Sequence, residues 1–163
     1  MIYESKPLEV ENLLNPSFCG ILIRKAAFEY KKYAKAPLPY ALIYLILPLA
    51  LHSLTRKSIL KSERKKLHTW LQENPEVKIQ FAERVRNIVP IVNETLVFLF
   101  SVKAAEFDQD GNLNVVKHER KGNLKVDFDL EVYECAIAAG IIGRWFAKTN
   151  SITTIYAMFG VKP

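Results

Sequence analysis

Two cysteines and three histidines are the side chains of this chain best suited to nucleophilic or metal chemistry. They stand far apart in the sequence, at Cys19, Cys135, His52, His68 and His118. A catalytic thiol needs a neighbouring base, and a zinc site needs clustered ligands. No nucleophile elbow, phosphate-binding glycine loop or paired-histidine motif is present either. We therefore expect no enzyme, no cofactor and no metal; an enzyme in which folding brings Cys19 to a histidine stays as an alternative.

Acidic and amide side chains beginning at Asp108 have some of the offsets of a calcium-binding loop. That loop requires glycine at its sixth position, where this chain has Leu113. The pair Asp110–Gly111 is instead a strong turn signal, and alternating apolar residues follow it. A second turn signal at residues 121–123 precedes another alternating segment. The sequence therefore predicts a small β-hairpin region near residues 104–128.

Basic side chains carry the clearest functional signal, because the formal net charge of +6 is unevenly distributed. Six of them stand within eleven residues and are opposed only by Glu63: Arg56, Lys57, Lys61, Arg64, Lys65 and Lys66. A second cluster is opposed by Glu119: Lys117, Arg120, Lys121 and Lys125. We interpret the first cluster together with Lys121 as a contact for nucleic acid or for an anionic partner. A plainly solvated surface is the alternative, since most charge runs are solvated.

The elements that must position these residues are organised around the apolar segment Leu38–His52. As a helix its fifteen residues would span about 22 Å, short of the roughly 30 Å of a bilayer core, and Pro39 and Pro48 interrupt it. The segment is therefore predicted to be buried within the protein and not to span a membrane. Its periodicity does not distinguish a short buried strand from a broken helix.

Helices are predicted on both sides of this segment. Asn15–Pro16 and Asn74–Pro75 are helix-start signals, and Pro90 is expected to end or kink the second of these helices. A further helix spans residues 129–148, and a last one starts at Asn150 or Ser151. The predicted fold is one mainly α domain with a small β-hairpin (α+β) over residues 1–163, in which residues 1–14 form an arm and residues 15–163 a mostly helical core. The order of elements is similar to that of a winged helix, which is a fold-level analogy.

Aromatic residues give the candidate protein contacts. Phe28 falls on the cationic face of the first helix, where an exposed ring can meet a partner. Gly140 and Gly143 within a helix indicate close approach by another backbone. The apolar last helix is expected to pack into a core or against a partner. The predicted partner interface therefore consists of Phe28, Trp145, Tyr156 and Phe159.

Several segments of the chain resemble one known family. They are NPSFC at Asn15–Cys19, LPY and LILPLALH within Leu38–His52, SLTR at Ser53–Arg56, HTWLQENPEV at His68–Val77, and the ending GRWFAKTNSITTIYAMFGVKP from Gly143. Together they resemble the middle component of three-component ABC systems, the group to which Lamassu-type anti-phage defence belongs. The likeness extends over most of the chain, and its Asn-Pro start and its ending are the most specific parts.

The resemblance implies a non-catalytic accessory subunit of a complex with an SMC-like ABC ATPase and an effector that is often a nuclease. In such a complex the basic clusters would contact DNA held by the ATPase. A free-standing winged-helix regulator that binds DNA is the competing hypothesis. The start of the chain shows no secretory signal, so a cytoplasmic protein is expected. Peripheral membrane attachment is a weaker alternative, because the apolar segment has no polar face.

Overall fold

The computed structural model describes residues 14–116 and 130–162. Within these ranges the fold is mostly helical with one two-stranded antiparallel sheet, as the sequence predicts. The helices are α1 (Pro16–Ala34), α2 (Tyr40–Ala50), α3 (Ser53–Lys61), α4 (Leu67–Glu73), a 3-10 turn (Pro75–Lys78), α5 (Phe81–Ser101), α6 (Leu130–Thr149) and α7 (Ile152–Phe159). The strands are β1 (Ala105–Phe107) and β2 (Leu113–Val115).

Helix α2 forms the centre of the core, and the strand alternative for Leu38–His52 is wrong. Most of its residues are buried, since α1, α5 and α6 all pack against it. Pro39 precedes the first turn of α2, where proline is tolerated, and Pro48 lies in the last turn. The missing N–H of Pro48 therefore interrupts only one hydrogen bond near the end of the helix. Burial of most of α2, with apolar residues even at its partly exposed positions, explains why the segment has no amphipathic period.

Helices α1 and α6 make the most extensive contact of the fold. Asn15 caps α1 as predicted, because its side-chain oxygen accepts a hydrogen bond of 2.8 Å from the N–H of Ser17. The two helices approach most closely at Gly143, where an added Cβ would come within 2.1 Å of the carbonyl oxygen of Ala26. The predicted close backbone approach is thus confirmed at Gly143. At Gly140 the nearest atom is in the flexible side chain of Lys25, at 3.1 Å.

Two predicted helix boundaries are wrong. Asn74 does not cap the long helix; its side-chain amide donates to the carbonyl of Trp70, at the end of α4, and only a 3-10 turn follows it. Helix α5 starts later, at Phe81, after Gln80 in a left-handed conformation. Pro90 does not end α5, which continues to Ser101. The carbonyl that Pro90 leaves without a donor is that of Arg86, one turn earlier, which is exposed and can be hydrated.

The predicted hairpin is present at residues 105–115. The carboxylate of Asp108 accepts hydrogen bonds from the N–H groups of Asp110 (3.0 Å) and Asn112 (2.9 Å), which closes the turn, and Gly111 has the positive φ of 78° that the turn needs. Strand β2 pairs on its other side with Leu38 through two backbone hydrogen bonds. The second turn signal, at residues 121–123, lies outside the described residues.

The hairpin lies against the first helix. Lys31 of α1 donates to the side chain of Asn114, and Arg24 donates to the carbonyl of Val116. A winged-helix arrangement is not confirmed, because a wing projects from its domain to reach a nucleic-acid backbone. None of the helices in the described ranges is both long enough and apolar enough to cross a membrane.

Candidate anion-binding surface

The short loop between α3 and α4 presents three basic residues of the first cluster to solvent, Arg64, Lys65 and Lys66. It is held tightly, because the N–H of Ser62 bonds to the carbonyl of Ile59 and the N–H of Lys65 to the carbonyl of Ser62. Helix α6 also holds the backbone of this loop. The indole N–H of Trp145 donates to the carbonyl of Lys65 at 2.8 Å, and Arg144 donates to the carbonyl of Glu63. The cations of the loop therefore project from a rigid backbone.

A groove of about 620 Å³, here called the main groove, opens between this loop, the end of α1, the end of α6 and α7. The loop supplies Arg64, Lys65 and Lys66 to its lining, and α6 adds Arg144 and Lys148. The lining acid is Glu63, so the groove has a formal excess of positive charge. The remaining lining residues are Tyr33, Leu67, His68, Trp145, Thr149 and Met158.

Tyr33 forms the aromatic wall of the main groove. Its ring is 43% exposed, and two ammonium groups approach it, Lys148 at 5.3 Å and Lys32 at 5.6 Å from the ring centroid. The negative face of the ring partly compensates these cations without neutralising them. The ring therefore holds positive charge at the mouth of the groove.

A second depression of about 470 Å³, here called the side groove, adjoins the main groove at Lys65, which lines both. Lys57 and Lys61 of α3 face it, and so does the exposed side chain of Leu54. Glu73 lines it from α4 and forms an ion pair with Lys65. The two grooves together carry seven cations, which we call the basic stripe: Lys57, Lys61, Arg64, Lys65, Lys66, Arg144 and Lys148.

Most of the basic stripe has no carboxylate partner within residues 14–116 and 130–162. In the part of the chain that the structure describes, the ion pairs are Lys25–Glu29, Arg56–Glu131 and Lys65–Glu73. Lys65 is thus the one stripe residue paired with a carboxylate among the described residues. Unpaired exposed cations on a rigid surface attract anions, and ionic strength weakens that attraction.

Arg56 is not part of this surface, although the sequence grouped it with the other cations. It is 2% exposed, and its guanidinium donates to the carbonyls of Ala50 and Leu51 and to the carboxylate of Glu131 at 2.9 Å. Arg56 thereby joins the end of α2 to the first turn of α6. The helical period turned this residue inward while Lys57, the next residue, points to solvent.

Three of the four predicted partner contacts lie inside the chain. Trp145 packs against Trp70 with 5.0 Å between ring centroids, and Phe159 stacks on Phe81 at 4.9 Å. Tyr156 is 5% exposed and donates to the carbonyl of Ala41. Their apolar character therefore serves the core of this chain, and the structure does not offer them to a partner. Phe28 is 50% exposed, and its role as a partner contact stays a prediction.

The second basic cluster, including Lys121, lies outside the described residues, as do His118 and Glu119, of which Glu119 is the last residue of the rejected calcium-binding loop. The described part of that loop uses Asp108 to bind its own backbone. Within residues 14–116 and 130–162 no group of three or more His, Cys, Asp or Glu side chains could hold a metal ion.

The family model for the ABC-three component (ABC-3C) system Middle Component 3 matches residues 4–163. The chain belongs to this family. No curated protein and no solved structure matches it. As a Middle Component 3 chain, the protein is one part of an ABC-three component system, which agrees with the resemblance found in the sequence.

In this Middle Component 3 chain the cysteines are poorly suited to catalysis. Cys19 and Cys135 are both fully buried and reduced. Burial, and then the nearby Cys135, raise the pKa of the Cys19 thiol to about 12. A thiol with such a pKa is protonated at neutral pH and is a weak nucleophile. These observations argue against an enzyme built on Cys19.

Sequence reasoning missed the residues of α1, α4 and α6 that complete the main groove: Tyr33, His68, Arg144 and Lys148. Arg144 and Lys148 are separated by four positions, so they share one face of α6. That spacing was visible in the sequence. The two residues are about eighty residues away from the first cluster along the chain, however, so the sequence did not indicate that they lie near it. Only the packing of α6 against the α3–α4 loop brings them together.

Proposed function

We propose that this chain is a non-catalytic accessory subunit that bridges an SMC-like ABC ATPase and an effector, often a nuclease, in Lamassu-type anti-phage or anti-plasmid defence. In the assembled complex it also contacts DNA. The observation that carries this proposal is the family match across residues 4–163, which makes the chain a middle component of an ABC-three component system. The buried thiols and the absence of a metal-ligand cluster among the described residues are compatible with it.

A bridging role requires separate surfaces for separate partners, and the chain has two of different chemistry. One is the basic stripe. The other is an aromatic face where Tyr40 and Phe107 are 47% and 40% exposed and their rings lie 5.5 Å apart, with Phe100 against Phe107 at 4.9 Å. Val97, 67% exposed, belongs to the same helix as Phe100. Exposed aromatic clusters of this kind are typical of protein interfaces.

The test is co-purification of the tagged chain after expression with its chromosomal neighbours, followed by size exclusion in moderate salt. We expect a large ATPase and a second, effector-like protein to elute with it. The double variant Tyr40→Ala, Phe107→Ala should lose one of these proteins, whereas Ile79→Ala, Leu130→Ala removes exposed apolar side chains elsewhere and should retain both.

The competing hypothesis predicts a different outcome. A lone monomer or dimer that binds duplex DNA with sequence preference would contradict the accessory-subunit proposal and support the free-standing regulator. A catalytic activity of the isolated chain that Cys19→Ala abolishes in a folded protein would contradict the non-catalytic assignment.

A further inference from the structure

The charge of the basic stripe is spread along a path and not concentrated at one point. Lys57 and Lys61 lie in the side groove, Arg64 and Lys66 on the loop, and Lys148 at the far wall of the main groove. Lys65 lines both depressions and joins them. Two adjoining grooves with cations along both accommodate an extended polyanion better than a single small anion.

We propose that the two grooves are a binding site for the sugar-phosphate backbone of nucleic acid, read without base specificity. The inference deepens the DNA contact of the proposed function and rests on it for the source of the DNA. The chemistry is charge pairing: exposed lysine and arginine side chains displace the counterions of the phosphates. The side chains of Arg64, Lys66, Lys57 and Lys61 donate no hydrogen bond to another described residue, so among these residues their charged groups are uncommitted.

An acidic peptide fits these grooves less well than a phosphate backbone. Protein interfaces usually take most of their binding energy from a few large side chains that enter well-packed pockets near the centre of the interface. Beneath the main groove, Trp145 and Leu67 are each 2% exposed and already packed in the core. The seven cations of the basic stripe outnumber the two large apolar side chains that the grooves expose, Tyr33 and Leu54, which suits a ligand whose own outer surface is charged along its whole length.

The experiment is fluorescence anisotropy of the full chain with a short labelled duplex of two unrelated sequences, the corresponding single strand, and a poly-glutamate peptide. We expect both duplexes to bind with the same affinity and a steep dependence on salt. The triple variant Arg64→Ala, Lys66→Ala, Lys148→Ala should bind at least about tenfold more weakly and reduce the log-log salt slope by about 2.7, since each phosphate contact contributes about 0.9.

The matched control removes three exposed cations outside the grooves: Lys78→Ala, Arg86→Ala, Lys103→Ala. Both triple variants lower the net charge equally, so the control should keep nearly all of the affinity and the slope. An equal loss in the two variants would overturn the site, because net charge alone would then explain binding. Tighter binding of poly-glutamate than of either nucleic acid would overturn the ligand class, and so would no binding at low salt.

The nucleic-acid arms separate the sources of the phosphates, because a preference for the duplex or the single strand identifies which one the grooves follow. Co-purification with the partner subunits is independent of this measurement. If the chain binds no nucleic acid but still co-purifies with its partner subunits, the inference is refuted and the accessory-subunit proposal stands. If the chain binds nucleic acid through the grooves but does not co-purify with partner subunits, the accessory-subunit proposal is refuted and the binding site stands.

Discussion

Arg56 and Arg64 belong to the same cationic run, yet they lie in opposite environments. Arg56 is buried and holds Ala50, Leu51 and Glu131 together, whereas Arg64 is exposed on the wall of the main groove. One arginine stabilises the packing of three helices, and the other leaves its charge available to a ligand. The comparison shows that a run of like charges occupies two different environments, which helix phase and loop geometry separate.

Helix α6 contains one glycine against a backbone and one against a flexible side chain. The variants Gly143→Ala and Gly140→Ala therefore make a matched pair. The new Cβ at Gly143 would meet the backbone of Ala26 at 2.1 Å, so α1 and α6 must separate. We expect Gly143→Ala to lose about 4 kcal/mol or more of unfolding free energy, or to prevent folding. Urea denaturation followed by circular dichroism measures it.

Gly140→Ala should be neutral or gain up to about 1 kcal/mol, because the flexible Lys25 side chain can move and alanine favours helix. Equal stability of the two variants would contradict the close approach of α1 and α6 at Gly143.

The variant Arg56→Ala tests the structural role of the buried arginine of the first cluster. Arg56→Ala should cost about 3 kcal/mol in urea unfolding, because it leaves two helix-end carbonyls and the carboxylate of Glu131 without their donor. The neighbouring exposed variant Lys57→Ala is the control and should stay within about 0.5 kcal/mol of the parent. A small effect of Arg56→Ala would mean that this side chain is not the joint between α2 and α6.

His52, which lies close to Arg56 in sequence, is expected to make the unfolding free energy depend on pH. Its ring caps α3 by accepting from the N–H of Thr55, and burial, followed by Arg84 and Arg56, lowers its pKa. A group whose pKa is lower in the folded state contributes stability that is fully present above its unfolded pKa of about 6.5 and is lost as pH falls towards the folded value. The unfolding free energy of the parent should therefore decrease between pH 7.5 and pH 5.

The variant His52→Asn keeps a capping oxygen but does not titrate, so it should have a flatter stability profile than the parent over that pH range. Urea midpoints at several pH values measure this. His68→Asn replaces an exposed histidine of the main groove and should leave the slope of the parent intact. A parent and a His52→Asn variant with the same profile would show that His52 does not cause the pH dependence.

The smallest expected effect on stability is that of the exposed residues of the first cluster. Arg64→Ala and Lys66→Ala remove exposed side chains without a carboxylate partner among the described residues, so each should change the unfolding free energy by less than about 0.5 kcal/mol. Thermal denaturation at matched salt is sufficient to detect a larger change. Strong destabilisation by either variant would assign these cations to the fold and not to a ligand.

Much of this architecture follows from local sequence signals. Asn15 and Ser151 cap their helices and Asp110–Gly111 lies in the hairpin turn, all as predicted. The failures have different causes. Burial decides between helix and strand at Leu38–His52, a local hydrogen bond to Trp70 places Asn74 at the end of α4, and the exposed position of Pro90 lets α5 continue. The family was visible as well, because its segments are contiguous in sequence.

The sequence by itself determined the helical class, the hairpin, the family and the presence of excess positive charge, because each depends on residue type and short-range spacing. Only the tertiary structure decided which of these charged side chains are buried and which lie together on the surface. It buried Arg56, packed Trp145, Tyr156 and Phe159 inside the core, and brought Arg144 and Lys148 to the α3–α4 loop. The physical reason is that burial and proximity across eighty residues depend on how helices pack, which no local pattern specifies.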